Sequence, residues 1–344
     1  MRLPLLFIAF AITAPAAGAA SCAGAERQLS EISQRLERRE VGKAEAILTP
    51  LEASHPQCID LVLAKGRIRA ANHDEDEAQA IFEHYLELAP LDPRGYAYLA
   101  ELLLDRQEFR RADTLSAIAV DKGALDSVAL AVRGEVLDMK GENSQGRAML
   151  EKSCELDGLN SDAQFHLAAI YDRMKWPAQA VKHFEKVVAV NPQNPSAWDY
   201  LALNREPLGD LEGADQAYRN ALKTNRPGPD FDAFVDYNYG RFLLKRDQLT
   251  ESKRHLDRAV ELVPQMRSPW YERAKLNLRL KDYQHARNDA ETASRISDPN
   301  GFIIDLQIYA LLEQIYRRLG EKELAQKYAD LSRETPAPAR GEHR

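Results

Sequence analysis

The sequence has little of what enzymes commonly use to build a reactive centre. It contains three cysteines but no CxxC pair, and it has no glycine-rich phosphate loop and no G-x-S-x-G motif. Its eight histidines never show the i, i+4 spacing of a helical metal site and are expected at the surface. The acidic run Asp74–Glu77 lacks the glycine and the distal glutamate of a calcium loop. These absences predict a protein without catalytic residues, metal or cofactor.

Positive charge is also in deficit. The chain holds 46 lysines and arginines against 53 aspartates and glutamates, so its formal net charge is −7. A nucleic-acid surface needs a basic stripe to neutralise phosphates, and an anionic membrane would repel the excess acid. We therefore expect no nucleic-acid partner, and a membrane partner only if the chain is lipidated.

A long apolar run lies at the start of the chain. Arg2 precedes the apolar residues 3–12, and Ala17-Gly18-Ala19 follows as a small-residue cleavage site. A transmembrane anchor is the rival interpretation, but proline and glycine interrupt a stretch of only about 18 residues. We expect residues 1–20 to be a signal peptide and the mature protein to be periplasmic or secreted.

What the sequence does have is a period of 34 residues. Small residues recur at this spacing, with one short insertion before Ser252: Ala44, Ala78, Ala112, Gly146, Ala180, Ala214, Ser252, Ala286 and Ala325. Two further sets of positions follow the same period: one holds small residues, including Gly134 and Gly240, and the other holds bulky residues, including Leu150 and Leu256. We call each such set of equivalent positions a column. Prolines 56, 90, 192 and 264 are each expected to end the second helix of their unit. This pattern predicts stacked, antiparallel helical hairpins.

These columns resemble the tetratricopeptide repeat family. One unit shows its pattern as Trp198, Leu201, Ala202, Ala214 and Tyr218, and another as Leu167, Ala168, Tyr171, Ala180, Phe184 and Pro192. The resemblance implies an all-α fold, a right-handed α-solenoid of stacked helix-turn-helix hairpins, over residues 21–334. About nine units are readable: 25–58, 59–92, 93–126, 127–160, 161–194, 195–228, 233–266, 267–300 and 306–334.

Two segments depart from the period. Residues 225–232 form a longer inter-repeat loop, which is either a tolerated surface insertion or a bend or ligand contact. Residues 335–344 have no apolar face to bury and are expected to be a disordered tail.

If the chain is exported, its cysteines can form a disulfide, because a disulfide persists outside the cytoplasm. Cys22 precedes the first helix and Cys58 follows the second, so both lie at the same end of the first hairpin. A Cys22–Cys58 disulfide, a lipid-modified Cys22 and a free Cys22 thiol all remain open. Cys154 is expected to be a small buried residue.

In the proteins that this chain resembles, a concave groove lined by the first helix of each unit holds extended peptides or partner helices. The C-terminal units place aromatic and cationic residues at those positions: Tyr237, Asn238, Arg241, Lys245, Tyr271, Lys275, Arg279, Gln314 and Arg318. Equal repeat positions predict that Tyr237 stacks on Tyr271, whereas earlier units offer acids such as Glu101 and Glu135. The resemblance thus implies a basic, aromatic-lined C-terminal groove. An ordinary solvated face is the alternative.

Three functional hypotheses follow. The first is a non-catalytic, monomeric scaffold outside the cytoplasm that binds a protein or peptide segment carrying acidic groups. The second is an assembly factor, possibly a lipoprotein, for an envelope machine such as a pilus, secretion or outer-membrane complex. The third, an enzyme subunit or regulator, has no sequence feature in its favour.

Overall fold

The computed structural model describes residues 22–228, 231–298 and 303–335. In these ranges the chain forms eighteen α-helices and no strand, and consecutive helices pair as hairpins. The predicted all-α hairpin repeat is therefore confirmed. The proposed signal peptide and the tail beyond residue 335 lie outside the described residues. None of the described helices is long and apolar enough to span a membrane.

The chain divides into two compact units, residues 1–193 and 194–344. The helices of the N-terminal unit are α1 Glu26–Glu37, α2 Val41–Ser54, α3 Ile59–Ala71, α4 Glu75–Leu88, α5 Pro93–Asp105, α6 Phe109–Lys122, α7 Ser127–Met139, α8 Asn143–Leu156, α9 Ser161–Arg173 and α10 Pro177–Val190. Those of the C-terminal unit are α11 Pro195–Arg205, α12 Leu211–Thr224, α13 Val235–Lys245, α14 Leu249–Leu262, α15 Arg267–Arg279, α16 Tyr283–Arg295, α17 Asp305–Leu319 and α18 Lys322–Glu334.

The small columns lie where paired helices approach most closely. A Cβ atom added to Gly134 in α7 would lie 2.7 Å from Leu150 Cγ and 2.9 Å from the carbonyl oxygen of Gly146 in α8. Leu150 is fully buried one turn further along α8. Small residues therefore set the helix spacing, and a bulky residue fills the next level of the core, as the period predicts.

The first helices of successive hairpins also contact each other. In the N-terminal unit α1, α3, α5, α7 and α9 form one layer, and in the C-terminal unit α11, α13, α15 and α17 form another. We call the side-chain surface of each layer the first-helix face of that unit. The predicted binding residues lie on α13, α15 and α17.

The predicted prolines mark the ends of the second helices. Helices α2, α4, α10 and α14 each end two residues before one of them, at Ser54, Leu88, Val190 and Leu262. The following first helices begin behind polar N-cap residues: the side chains of Asp92, Asp126, Asn160 and Asn194 each accept a hydrogen bond from a backbone N–H of the next helix. These caps satisfy donors that a helix start leaves without a partner.

Helices α11 and α13 are the shortest first helices of the described chain, with 11 residues each. Helix α11 ends at Arg205 and continues as a 3₁₀ turn, Glu206–Leu208, which Gly209 closes with a φ of 78°. Pro207 lacks the backbone N–H that a continuing α-helix would use. The turn brings the Glu206 carboxylate to the first-helix face of the C-terminal unit, where it contacts α13.

Polar contacts hold the loops that interrupt the period. Asn225 Nδ2 donates to the Asp232 carbonyl at 2.6 Å, and the Asp232 N–H donates back to Asn225 Oδ1 at 2.8 Å. Before α17, the buried Arg267 donates to the carbonyl oxygens of Ile296 and Ile303 and lies 2.8 Å from Asp305. Each loop is thus fixed at its two ends.

The histidine expectation is wrong for His255. This residue on α14 is buried, and its Nδ1 lies 2.7 Å from Asp236 Oδ1 of α13. Arg258 Nε lies 3.2 Å from the other oxygen of that carboxylate. A histidine fits this helix–helix contact because a buried carboxylate supplies its hydrogen-bond partner.

Cys22 and Cys58 are joined by a disulfide in the structure, with their Cα atoms 4.8 Å apart. Cys22 lies before α1, and Cys58 is the N-cap residue of α3, so the bond closes the first hairpin. Cys154 is only partly buried, and burial raises the pKa of its thiol to about 11.

Candidate functional site

Two of the predicted cations on α13 share one carboxylate. Arg241 donates to Glu206 Oε1 at 2.7 Å, and Lys245 Nζ donates to Glu206 Oε2 at 2.9 Å. The Tyr218 hydroxyl donates to Glu206 Oε1 at 2.6 Å. The Glu206 side chain is only 11% exposed, whereas that of Lys245 is 57% exposed. One carboxylate therefore faces two cations, and Lys245 is the accessible member of the group.

Asn238, also on α13, binds a buried acid. Its Nδ2 donates to Asp199 Oδ2 at 2.6 Å, and Asp199 is 2% exposed. The other oxygen, Oδ1, is buried and has no hydrogen-bond partner among the described residues. Burial, helped by the nearby charge of Asp232, raises the pKa of Asp199 to about 8, although the Asn238 hydrogen bond opposes this shift. Asp199 is therefore mainly protonated at pH 7.

The predicted cations of α15 are paired as well. Lys275 Nζ lies 2.8 Å from Glu272 Oε2 and 5.3 Å from the centroid of the Tyr271 ring. Arg279 donates to the Leu244 carbonyl oxygen at 2.9 Å, and it lies 3.3 Å from the Asp247 carboxylate. These carboxylates offset the positive charge that the sequence predicts for this face.

The two predicted tyrosines differ in their surroundings. Tyr237 packs against the buried leucines Leu244, Leu256 and Leu276, and burial raises its pKa to about 12. Among the ring contacts of the described residues, none joins Tyr237 to Tyr271, so the predicted stack is wrong. The Tyr237 ring packs instead against leucines of its own hairpin, α13–α14, and of the next helix, α15.

Gln314 and Arg318, on α17, are both exposed. Their neighbours Glu313 and Arg317 form an ion pair one helical turn apart. The C-terminal face thus has three parts: the Glu206 group on α13, the Tyr271–Lys275 contact on α15, and the exposed pair on α17. It is less basic than expected, because Glu206, Glu272 and Asp247 neutralise cations from neighbouring positions.

The first-helix face of the N-terminal unit is acidic. Burial, aided by the charge of Asp162, raises the pKa of Glu37 to about 7. Burial also raises the pKa of Glu101 well above its usual range, and that of Glu135. His166 Nε2 lies 3.4 Å from Glu135 Oε2. The 34-residue spacing of Glu101 and Glu135 was the only sequence signal for this group.

Comparisons with known proteins agree with this architecture. Two family models described as tetratricopeptide repeat match residues 161–194 and 237–302. The chain is 25% identical over 191 residues to human Protein O-mannosyl-transferase TMTC3, which covers 55% of this chain and 21% of that protein. It is 30% identical over 100 residues to the uncharacterised protein y4yS of Sinorhizobium fredii, covering 29% and 54% of the two chains. The chain thus spans about a fifth and about half of these relatives.

A solved structure supports the fold alone. The crystal structure of the APC/C hetero-tetramer Cut9–Hcn1 matches with a TM-score of 0.59 at 18% sequence identity, over 85% of this chain and 56% of that chain.

Proposed function

Because the chain is a tetratricopeptide repeat protein and its helical repeats form a protein-interaction scaffold, we propose that it binds a protein segment along the first-helix face of its C-terminal unit. The observation that carries this proposal is the Glu206 group, in which two cations face one carboxylate. We propose further that the scaffold is non-catalytic and that its ligand is an extended or helical segment with acidic groups.

The charges of this face favour such a ligand. Asp199 is mainly neutral at pH 7, so it does not cancel the surplus positive charge of Arg241 and Lys245. A carboxylate of the ligand would bind the exposed Lys245 without displacing Glu206 from the less exposed Arg241. Exposed ion pairs of this kind each contribute about 0–1 kcal/mol. They would therefore set association rate and orientation more than affinity.

Contact area would come from the rest of the face. Tyr271 offers a partly exposed ring beside Lys275, and the exposed Gln314 and Arg318 continue the face onto α17. Tyrosine and arginine commonly anchor interfaces because they combine a large contact area with polar groups. A segment that crosses α13, α15 and α17 would meet one such group on each helix.

A photo-crosslinking experiment tests this placement. Gln314 on α17 and Gln326 on α18 are exposed glutamines of the same hairpin, one on a first helix and one on a second. We expect benzoyl-phenylalanine at position 314 to crosslink a protein in a native envelope extract, and the same probe at position 326 to give no comparable product. Equal crosslinking at both positions would reject the proposed face.

We propose that the protein works outside the cytoplasm, as the pattern of residues 1–20 favours. The Cys22–Cys58 disulfide supports this location, because disulfides persist in oxidising compartments. Peptide mapping of unreduced protein from the periplasmic or secreted fraction should recover Cys22 linked to Cys58, with Cys154 as a thiol. A diacylglyceryl group on Cys22 would instead favour a membrane-anchored assembly factor.

A further inference from the structure

Three successive inter-hairpin turns of the N-terminal unit share one geometry with the preceding turn 55–58, in which the Cys58 N–H donates to the His55 carbonyl at 3.0 Å. The turns 89–92, 123–126 and 157–160 each close with a hydrogen bond from the N–H of the last residue to the carbonyl of the first, at 3.0–3.2 Å. Each leads into the N-cap residue of the next first helix. The side chain at the third position of each turn therefore occupies an equivalent place, repeated every 34 residues.

That third position holds a leucine in all three turns. Leu91, Leu125 and Leu159 are 78%, 71% and 69% exposed, the largest exposures among the big apolar side chains of the described residues. Leu88 and Leu156, at the ends of the preceding helices, are 46% and 47% exposed. We call these five residues the leucine edge. Single exposed leucines are ordinary, but a row in register along one edge indicates an interaction surface.

Leucine is not required by the turn itself. The equivalent positions before and after the row, 57 and 193, are exposed glutamines. In the C-terminal unit, the turn 263–266 closes with the same hydrogen bond and also carries a glutamine, Gln265, at its third position. Glutamine thus satisfies the same backbone, and the leucines need another reason.

Acidic residues accompany the leucines with the same period. Glu87, Asp121 and Glu155 each lie four residues before a turn leucine and are exposed. The segments 87–92, 121–126 and 155–160 contain six carboxylates and one cation, Lys122. Two cations from outside these segments contact the turns: Arg94 pairs with Asp92 at 2.6 Å, and Lys152 Nζ donates to the Ala124 carbonyl at 3.1 Å. The Lys122 ammonium lies 5.2 Å from the centre of the Tyr96 ring. The corresponding segments 53–58 and 189–194 contain neither a turn leucine nor an acid.

We infer that the leucine edge is a docking site for an amphipathic helix of a partner protein, with an apolar face and a basic flank. Packed helices lie about 8–10 Å apart, so three successive turns extend over about 20 Å. This length corresponds to about 14 residues of an α-helix at 1.5 Å per residue. The partner's apolar side chains would cover the leucines, and its lysines or arginines would pair with the acids. This surface is separate from the first-helix face.

Charge complementarity selects this occupant over two others. A second copy of the chain would bring its acidic row against an identical acidic row, and such like-charge contacts are costly. An anionic membrane surface would meet the same repulsion. A basic helix gains from both the apolar and the acidic components of the edge.

A defined peptide tests the inference. The probe is a labelled peptide of about 14 residues with leucines on one helical face and lysines on the other. A control peptide has glutamate in place of each lysine. Fluorescence anisotropy compares binding to the full-length chain and to the triple variant Leu91→Gln, Leu125→Gln, Leu159→Gln. We expect the variant to bind the lysine peptide at least tenfold more weakly. The glutamate peptide should not bind either protein.

Control variants distinguish binding at this site from nonspecific hydrophobic and electrostatic binding. Leu208→Gln, Leu211→Gln, Leu280→Gln removes exposed leucines from the C-terminal unit and should change affinity less than twofold. Glu87→Gln, Asp121→Asn, Glu155→Gln should weaken binding several-fold and reduce its salt dependence. Equal affinity of the leucine-edge variant and the parent protein would overturn the inference. The inference would also be overturned if the leucine-edge variant alone failed to sediment with phosphatidylcholine vesicles, or if it alone failed to self-associate in analytical ultracentrifugation.

Discussion

At the scale of single residues, two little-exposed acids of the C-terminal first-helix face differ in the hydrogen-bond donors they receive. The Glu206 side chain, 11% exposed, accepts hydrogen bonds from Arg241, Lys245 and Tyr218. Asp199 is buried with one donor, Asn238, and one oxygen without a partner in the described structure. Glu206 pairs with two cations, whereas Asp199, whose pKa burial raises to about 8, is mainly protonated at pH 7.

Asp199 should therefore make stability depend on pH. Its folded-state pKa of about 8 lies above the ordinary value, so the folded chain holds a proton that the unfolded chain releases. Stability from this group falls as pH rises from about 4 to about 8. We expect Asp199→Asn, which stays neutral, to stabilise the C-terminal unit by about 1–3 kcal/mol at pH 8 and little at pH 4.

Thermal melts of both proteins across this pH range measure the effect. Asp247→Asn is the matched control, because Asp247 is exposed and asparagine tolerates its positive φ of 61°. It should leave the pH dependence unchanged. A constant difference between Asp199→Asn and the parent chain from pH 4 to pH 8 would contradict the protonated state of Asp199.

At the scale of elements, the close approach of α7 and α8 depends on having no side chain at Gly134. We expect Gly134→Ala to destabilise this hairpin by about 1–3 kcal/mol, because the added methyl group meets a backbone oxygen that cannot easily move. Gly42→Ala in α2 is the control, since its Cβ would meet nothing within 4 Å. That change should stabilise by up to about 1 kcal/mol. Denaturant unfolding measures both, and equal effects would contradict the packing role of the column.

The sequence predicts the hairpins well because their determinants are local and periodic. Ala180 and Phe184 are one helical turn apart, and both are fully buried as the columns require. Contacts between residues of neighbouring repeats that occupy different repeat positions are harder to predict from the sequence. Arg241 and Lys245 reach Glu206 over 35 and 39 residues, off the 34-residue register. The 3₁₀ turn that presents Glu206 depends on Pro207, a single departure from the repeat.

The same reasoning explains the other errors. No sequence pattern indicates that His255 is buried, because its partner, Asp236, lies 19 positions away on α13. Equal repeat positions predict a Tyr237–Tyr271 stack, but the Tyr237 ring packs instead against the leucines of α13, α14 and α15. Equal repeat positions place two residues at equivalent points on neighbouring helices, but they do not determine the directions of the side chains.

At the scale of the whole molecule, the first-helix faces of the two units differ in their ionisable side chains. The N-terminal face carries Glu37, Glu101 and Glu135, whose pKa values are raised by burial. The C-terminal face carries cations in excess of carboxylates around Glu206. We propose that the C-terminal face holds the main binding site for a protein segment.

The affinity of the segment crosslinked at position 314 tests this claim most directly, with two double variants compared against the parent chain. We predict that Tyr271→Ala with Arg318→Glu weakens binding at least tenfold, or about 1.4 kcal/mol, because it removes the exposed ring and reverses an accessible charge. The N-terminal variant Glu101→Gln with Glu135→Gln should bind within twofold of the parent chain. Normal binding by the first variant together with lost binding by the second would place the site on the N-terminal unit and contradict the account.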